Sequence, residues 1–214
     1  MAIDAVIYDF GGVFIDSPFT AVLDQAQRRG IDPMFMLHNV FGPYDQDTDH
    51  PWHRLERGEV TFDAARTAIM ELSSADGGPA LDPIELLVAL GGGGVRDEVV
   101  EHCRSVKAGG VRTGLLTNNA AEFAEMWRPL LPLDELFDDV VDSCEVGMRK
   151  PDARIFELAL DRLGASAERT LFVDDAPGNI AGAEAVGLHT VLVGPRPEDV
   201  PEALARIDEL LSRR

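Results

Sequence analysis

Four polar positions close apolar, strand-like runs in this sequence: Asp9, Thr117 and the pair Asp174-Asp175. A carboxylate at the end of a hydrophobic strand is costly to half-bury unless something positive meets it. One such acid is ordinarily a turn or a helix cap. Three converging on one crevice point to a hard cation with oxygen ligands, most simply Mg2+. Asp9 is followed by Phe10-Gly11-Gly12-Val13, where the glycines permit a tight turn that presents backbone amides, Gly12 among them, to a bound phosphate. A carboxylate facing a metal-neutralised phosphoryl group can attack it and form an aspartyl-phosphate. Thr117-Asn118-Asn119 offers a hydroxyl and amides suited to phosphate oxygens, although such a triplet alone is usually just a turn. Lys150 precedes Pro151, which holds it extended ahead of a helix, where it could neutralise both Asp9 and a phosphate.

These residues need a scaffold of parallel strands. Short apolar runs at Ala5–Tyr8, Arg112–Leu116, Asp138–Val141, Thr170–Val173 and His189–Val193 predict fully buried strands. Helical stretches predicted over Val95–Ala108, Asp152–Leu163 and Ile180–Val186 each stop at glycine. This alternation from about residue 95 onward predicts a βαβ series and a parallel sheet. Ser17 to Leu90 breaks it, with helix-like segments at Phe19–Arg29, Phe62–Leu72 and Pro83–Leu90, and turns at Gly42-Pro43 and Asp45–Pro51. It reads as a helical insertion. Gly91–Gly94 marks the return, either as a hinge with Ile15–Pro18 or as plain loop.

Composition narrows the function classes. The chain has 214 residues, with 38 Asp+Glu against 19 Lys+Arg and a net charge of −19. Such a field repels nucleic acid and anionic lipid, so small anions would need a local cation or metal. Cys103 and Cys144 form no CxxC, which excludes a disulfide scaffold or zinc ribbon and fits a reducing compartment. The N-terminus lacks a basic leader and no apolar run approaches a membrane span, so a cytoplasmic protein is expected.

The residues resemble a known family. Asp9-Phe-Gly-Gly-Val13, Leu115-Leu-Thr117-Asn118, Lys150-Pro-Asp152 and Phe172-Val-Asp174-Asp175-Ala-Pro-Gly-Asn179 are similar, in order and spacing, to the four motifs of the haloacid dehalogenase-like (HAD) hydrolase superfamily. Asp9 through Ser17-Pro18-Phe19 most resembles the branch that includes the phosphatase-like domain of soluble epoxide hydrolase. The resemblance implies an α/β fold: a Rossmann-like parallel-sheet core over 1–16 and 91–214, with a helical cap inserted at 17–90. It further implies a Mg2+-dependent phosphatase acting on a small phosphorylated metabolite. Asp9 would be nucleophile and metal ligand, Gly11 would lend a carbonyl and Asp174 a carboxylate to the metal, and Asp175 and Asn179 would support them. Thr117 and Asn118 would hold the phosphoryl group, and Lys150 would balance its charge.

One departure stands out. Most phosphatases of the superfamily carry a second Asp at the position of Gly11, which protonates the leaving group and later activates water. Losing such acid–base help removes about 3–5 kcal/mol of barrier lowering. The leaving group could need little protonation, as with an anomeric or acyl phosphate; a cap residue or Asp16 could substitute; or the chain could be a binding or regulatory protein. A 2-haloacid dehalogenase is disfavoured, because it would lack the paired acids at Asp174-Asp175. In the cap, Tyr44, His50, Trp52, His53 and Arg54 are candidate substrate contacts. The preferred alternative packs Trp52 and Leu55 in the cap core and leaves His50, His53 and Arg54 solvated. Met34, Phe35, Met36 and Leu37 read as core or cap–core contact rather than a cofactor box.

Overall fold

The computed structural model describes residues 2–90 and 94–213. Strands β1 (Ala5–Tyr8), β2 (Arg112–Thr117), β3 (Asp139–Asp142), β4 (Thr170–Asp174) and β5 (His189–Leu192) form one parallel sheet in the order β3-β2-β1-β4-β5. Side chains alternate across it. Val6 and Tyr8 join one apolar cluster and Ala5 and Ile7 another on the opposite face. The first is covered by α6 (Asp97–Ala108) and α12 (Val200–Ser212), the second by α10 (Ala153–Leu163) and α11 (Pro177–Val186). Burial on both faces explains why the strands read as continuous apolar runs. Tyr8 lies opposite both Leu115 and Val173, so β1, β2 and β4 end almost level. From β1 the chain builds outward through β2 and β3, then crosses to β4 on the other side of β1. The crevice beside β1 is therefore the topological switch point.

Among the described residues, five helices lie between β1 and α6: α1 (Pro18–Arg29), α2 (Pro33–Phe41), α3 (Pro51–Glu56), α4 (Phe62–Ala75) and α5 (Pro83–Leu90). They share their own apolar cluster, including Val22, Met36, Trp52, Leu55 and Ile69. The first three open with a polar cap followed by proline. Ser17 Oγ accepts from Phe19 N, Asp32 Oδ1 from Phe35 N, and His50 Nδ1 from Trp52 N. The helices α2 and α3, nine and six residues long, were not expected from the sequence. Short helices α7 (Ala124–Trp127), α8 (Leu133–Leu136) and α9 (Ser143–Val146) flank β3.

Boundaries moved slightly. The third strand begins one residue later than predicted because the Asp138 carboxylate accepts from Thr113 N at 2.9 Å. The helix predicted from Val95 starts at Asp97, where two acids occupy the first turn and meet the positive end of the helix dipole. Met34 is not core: it is 53% exposed, whereas Met36 is buried. Gly91, Gly92 and Gly93 of the anticipated hinge lie outside the described residues. The neighbouring connections run side by side, with Arg96 N bonded to Phe14 O at 2.8 Å. Among the described residues, no helix is long and apolar enough to cross a membrane.

Candidate active site

The ends of β1, β2 and β4 converge on Lys150. Its Nζ donates to Asp9 Oδ1 at 2.7 Å, to Asp174 Oδ2 at 2.7 Å and to Leu116 O at 2.9 Å. Lys150 is only 1% exposed, so its stem crosses the sheet end and the ammonium is held entirely by protein. Asn118 anchors the base of this lysine. Its Nδ2 donates to Lys150 O at 3.0 Å and its Oδ1 accepts from Lys150 N at 2.8 Å. Both polar atoms of the Asn118 side chain are thus engaged with backbone. Thr117, buried at the end of β2, stands beside it.

Asp174 is fully buried. Its Oδ1 accepts from Ala176 N at 2.7 Å, and Asn179 Nδ2 reaches both of its oxygens at 3.1 and 3.2 Å. Asp175 accepts a hydrogen bond from Ser17 Oγ and packs against Gly12. Carboxylate oxygens of Asp9, Asp174 and Asp175 all lie within 4.8 Å of one another. Burial pushes the Asp9 carboxyl up to about 7, with Lys150 opposing and Asp174 reinforcing the rise. Burial, then Asp174 and Asp9, hold Asp175 well above its ordinary range. Burial alone would lower Lys150, but Asp174 and Asp9 outweigh it and raise the ammonium pKa. Asp9 and Asp174, both buried, and the half-buried Asp175 set three carboxyl groups against one ammonium, a surplus of acid that a divalent cation would balance. The all-oxygen donor set fits a hard ion.

Gly11 leaves its side of the site open. A Cβ there would meet Asp9 Oδ2 at 3.9 Å and Pro18 Cδ at 3.8 Å, both ordinary contacts. Asp16, the nearby substitute considered above, is half exposed and lies 3.5 Å from Arg96, which also donates to Val13 O at 3.2 Å. It is therefore engaged with Arg96.

The helical insertion reaches this crevice from the other side. Arg149, beside Lys150, donates from Nε to Glu56 Oε2 at 2.6 Å and from Nη1 to Gln46 O at 3.1 Å, while Trp52 Nε1 donates to Glu56 Oε1 at 2.8 Å. Arg149 and Glu56 were not singled out by sequence, because nothing local marks a pair 93 positions apart. For Ser17 the signal in the sequence is its Ser-Pro helix start. Of the other candidates, Trp52 and Leu55 are packed as preferred, and Arg54 is exposed and paired with Glu59 at 3.2 Å. His53 is not solvated: it is 0% exposed, its Nδ1 accepting from Thr48 N at 3.1 Å, and His50 is half-buried.

Comparison with known proteins agrees with this arrangement. Residues 3–187 match the family described as haloacid dehalogenase-like hydrolase. The chain belongs to that family. Among curated relatives, acyl-CoA dehydrogenase family member 10 of Mus musculus is 30% identical over 94% of this chain but 18% of its own length. Bifunctional epoxide hydrolase 2 of Sus scrofa is 28% identical over 98% of this chain and 39% of its own length. The chain thus spans well under half of those two proteins. The sesquiterpene phosphatase astK of Aspergillus oryzae is 29% identical over 86% of both chains. A HAD-like family hydrolase structure from Porphyromonas gingivalis superposes with a TM-score of 0.69, at 27% identity and complete coverage of both chains. A HAD family enzyme of Bacteroides thetaiotaomicron, solved with magnesium and inorganic phosphate, shares the fold at 18% identity and a TM-score of 0.61, over 89% of this chain and 94% of that one.

Proposed function

We propose that this HAD-like hydrolase is a Mg2+-dependent phosphatase of a small phosphorylated metabolite, acting through an aspartyl-phosphate on Asp9. The observation that carries the reading is the buried Asp9–Lys150–Asp174 cluster with Asp175 beside it. Phosphatases among the relatives, and magnesium with phosphate in a protein of the same fold, support it. Asp9, Asp174 and Asp175, with the Gly11 carbonyl, would hold the metal, which when bound would neutralise phosphoryl charge. Lys150 holds Asp9 Oδ1, which leaves Oδ2 to attack phosphorus. Thr117 and the backbone N–H groups of Asn118 and Gly12 would receive the phosphoryl oxygens. Residues 17–90 would form a cap over the core of 1–16 and 91–214, docked through Arg149 and Glu56.

Gly11 supports a second reading, a binding or regulatory protein that retains the site without efficient turnover. Acid-quenched mass spectrometry with 4-nitrophenyl phosphate separates the two. The phosphatase reading expects a Mg2+-dependent burst and a phosphorylated Asp9, both absent in Asp9→Asn. Slow turnover should rise about a hundredfold in Gly11→Asp. No phosphorylated Asp9 and no rescue would transfer the assignment to a binding role.

A further inference from the structure

With Gly11 lacking a side chain and Asp16 engaged by Arg96, the departing side of the phosphoryl group still needs a donor. Of the two tyrosines, Tyr8 is sealed in the core, whereas Tyr44 is half-buried in the loop between α2 and α3. That loop is seated directly on the site. A Cβ at Gly178, in the first turn of α11, would lie 2.2 Å from Tyr44 O and 2.7 Å from Asp45 Cα, so only glycine allows this approach. The Tyr44 ring packs 4.5 Å from Phe19 and 6.0 Å from Phe41. Phe19 follows Pro18, the residue facing Gly11. Tyr44 thus sits between Gly178, one residue before Asn179, and Phe19, one residue after the Pro18 that faces Gly11. Burial first, then the charges of Glu56, Asp175 and Asp9, raise its pKa well above the ordinary value, with Arg149 opposing. It remains a neutral phenol, able to donate a hydrogen bond and ill-suited to act as a base.

We infer that Tyr44 is a catalytic residue that donates a hydrogen bond to the oxygen leaving phosphorus, in a site suited to phosphate esters whose leaving oxygen departs without full protonation. The inference rests on the phosphatase reading above. In the step, the Asp9 Oδ2–phosphorus bond forms and the phosphorus–leaving-oxygen bond breaks. The electron pair stays on the leaving oxygen, which takes the Tyr44 hydrogen bond and gains its proton from water on release. Such a donor must stand beyond the phosphoryl group and not against the nucleophile.

The test compares wild type with Tyr44→Phe on aryl phosphates from 2,4-dinitrophenyl to phenyl. Phenylalanine retains the ring contacts with Phe19 and Phe41. The expected loss in kcat/KM is about tenfold for phenyl phosphate and about twofold or less for the dinitrophenyl ester, because the hydrogen bond matters most where charge builds on oxygen. The same substitution in a Gly11→Asp background should cost less, since an acid at position 11 would supply the proton. An equal loss across the series, or a rise in KM alone, overturns the role of Tyr44 while the aspartyl-phosphate still forms. Absence of the aspartyl-phosphate in wild type overturns the phosphatase reading, and this role with it.

Discussion

A Cβ built on Gly11 would meet nothing closer than 3.8 Å, whereas one on Gly12 would lie 2.1 Å from Asp175 Cγ. Gly12 also holds φ +70°, a conformation that side chains strain to adopt. Adjacent glycines thus have opposite tolerance. Gly11→Asp should fold with a change of less than about 1 kcal/mol in urea denaturation. Gly12→Ala should lose more than about 2 kcal/mol and displace Asp175. Equal stability losses at both positions would contradict the geometry. Asp9, Lys150, Asp174 and Asp175 were legible as candidates because each closes a strand or precedes proline. The engagement of the Asn118 side chain with the Lys150 backbone was not, because it depends on two loops 32 positions apart.

Among elements, the junction between α3 and the turn before α10 is the most consequential. Arg149 and Glu56 form a buried pair at 2.6 Å, and Trp52 holds the other Glu56 oxygen. Removing one member of a buried pair leaves an uncompensated charge, whereas replacing both by apolar groups is far milder. Glu56→Gln should therefore destabilise by about 3 kcal/mol, and the double replacement Glu56→Leu with Arg149→Met by less than the sum of the single changes. Chemical denaturation of the four proteins in this cycle reads the coupling; strict additivity would mean that the pair does not join the two parts. The strands were legible to within a residue or so, because burial on both faces writes an uninterrupted apolar run. The helices α2 and α3 were hidden, yet Asp32-Pro33 and His50-Pro51 repeat the cap-proline start at Ser17-Pro18.

For the whole molecule, burial of His53 makes folding respond to acid. Burial, then Arg149, His50 and Arg57, push its pKa down to about 3, with the Phe41 backbone opposing. An unfolded histidine titrates near 6.5. Between those values the unfolded chain binds a proton that the folded chain refuses, so this contribution is complete above about pH 6.5 and is lost as pH falls. By pH 5 the loss should reach about 2 kcal/mol. His53→Asn, which keeps an acceptor for Thr48 N, should flatten the fall in melting temperature between pH 7 and pH 5. An unchanged slope would show that His53 protonates without unfolding.

The sequence by itself determined the parallel-sheet class, the strand ends that carry Asp9, Thr117 and Asp174, and the family. Each is written locally, in runs of side chains and in turn residues that must follow a buried strand. Tertiary structure alone decided that Lys150 bridges Asp9 and Asp174, that Arg149 reaches Glu56, and that the backbone at Tyr44 and Asp45 rests on Gly178. Those contacts join segments tens to more than a hundred positions apart. Local residue type constrains such pairs weakly, because the sheet order and the docking of the inserted helices choose them.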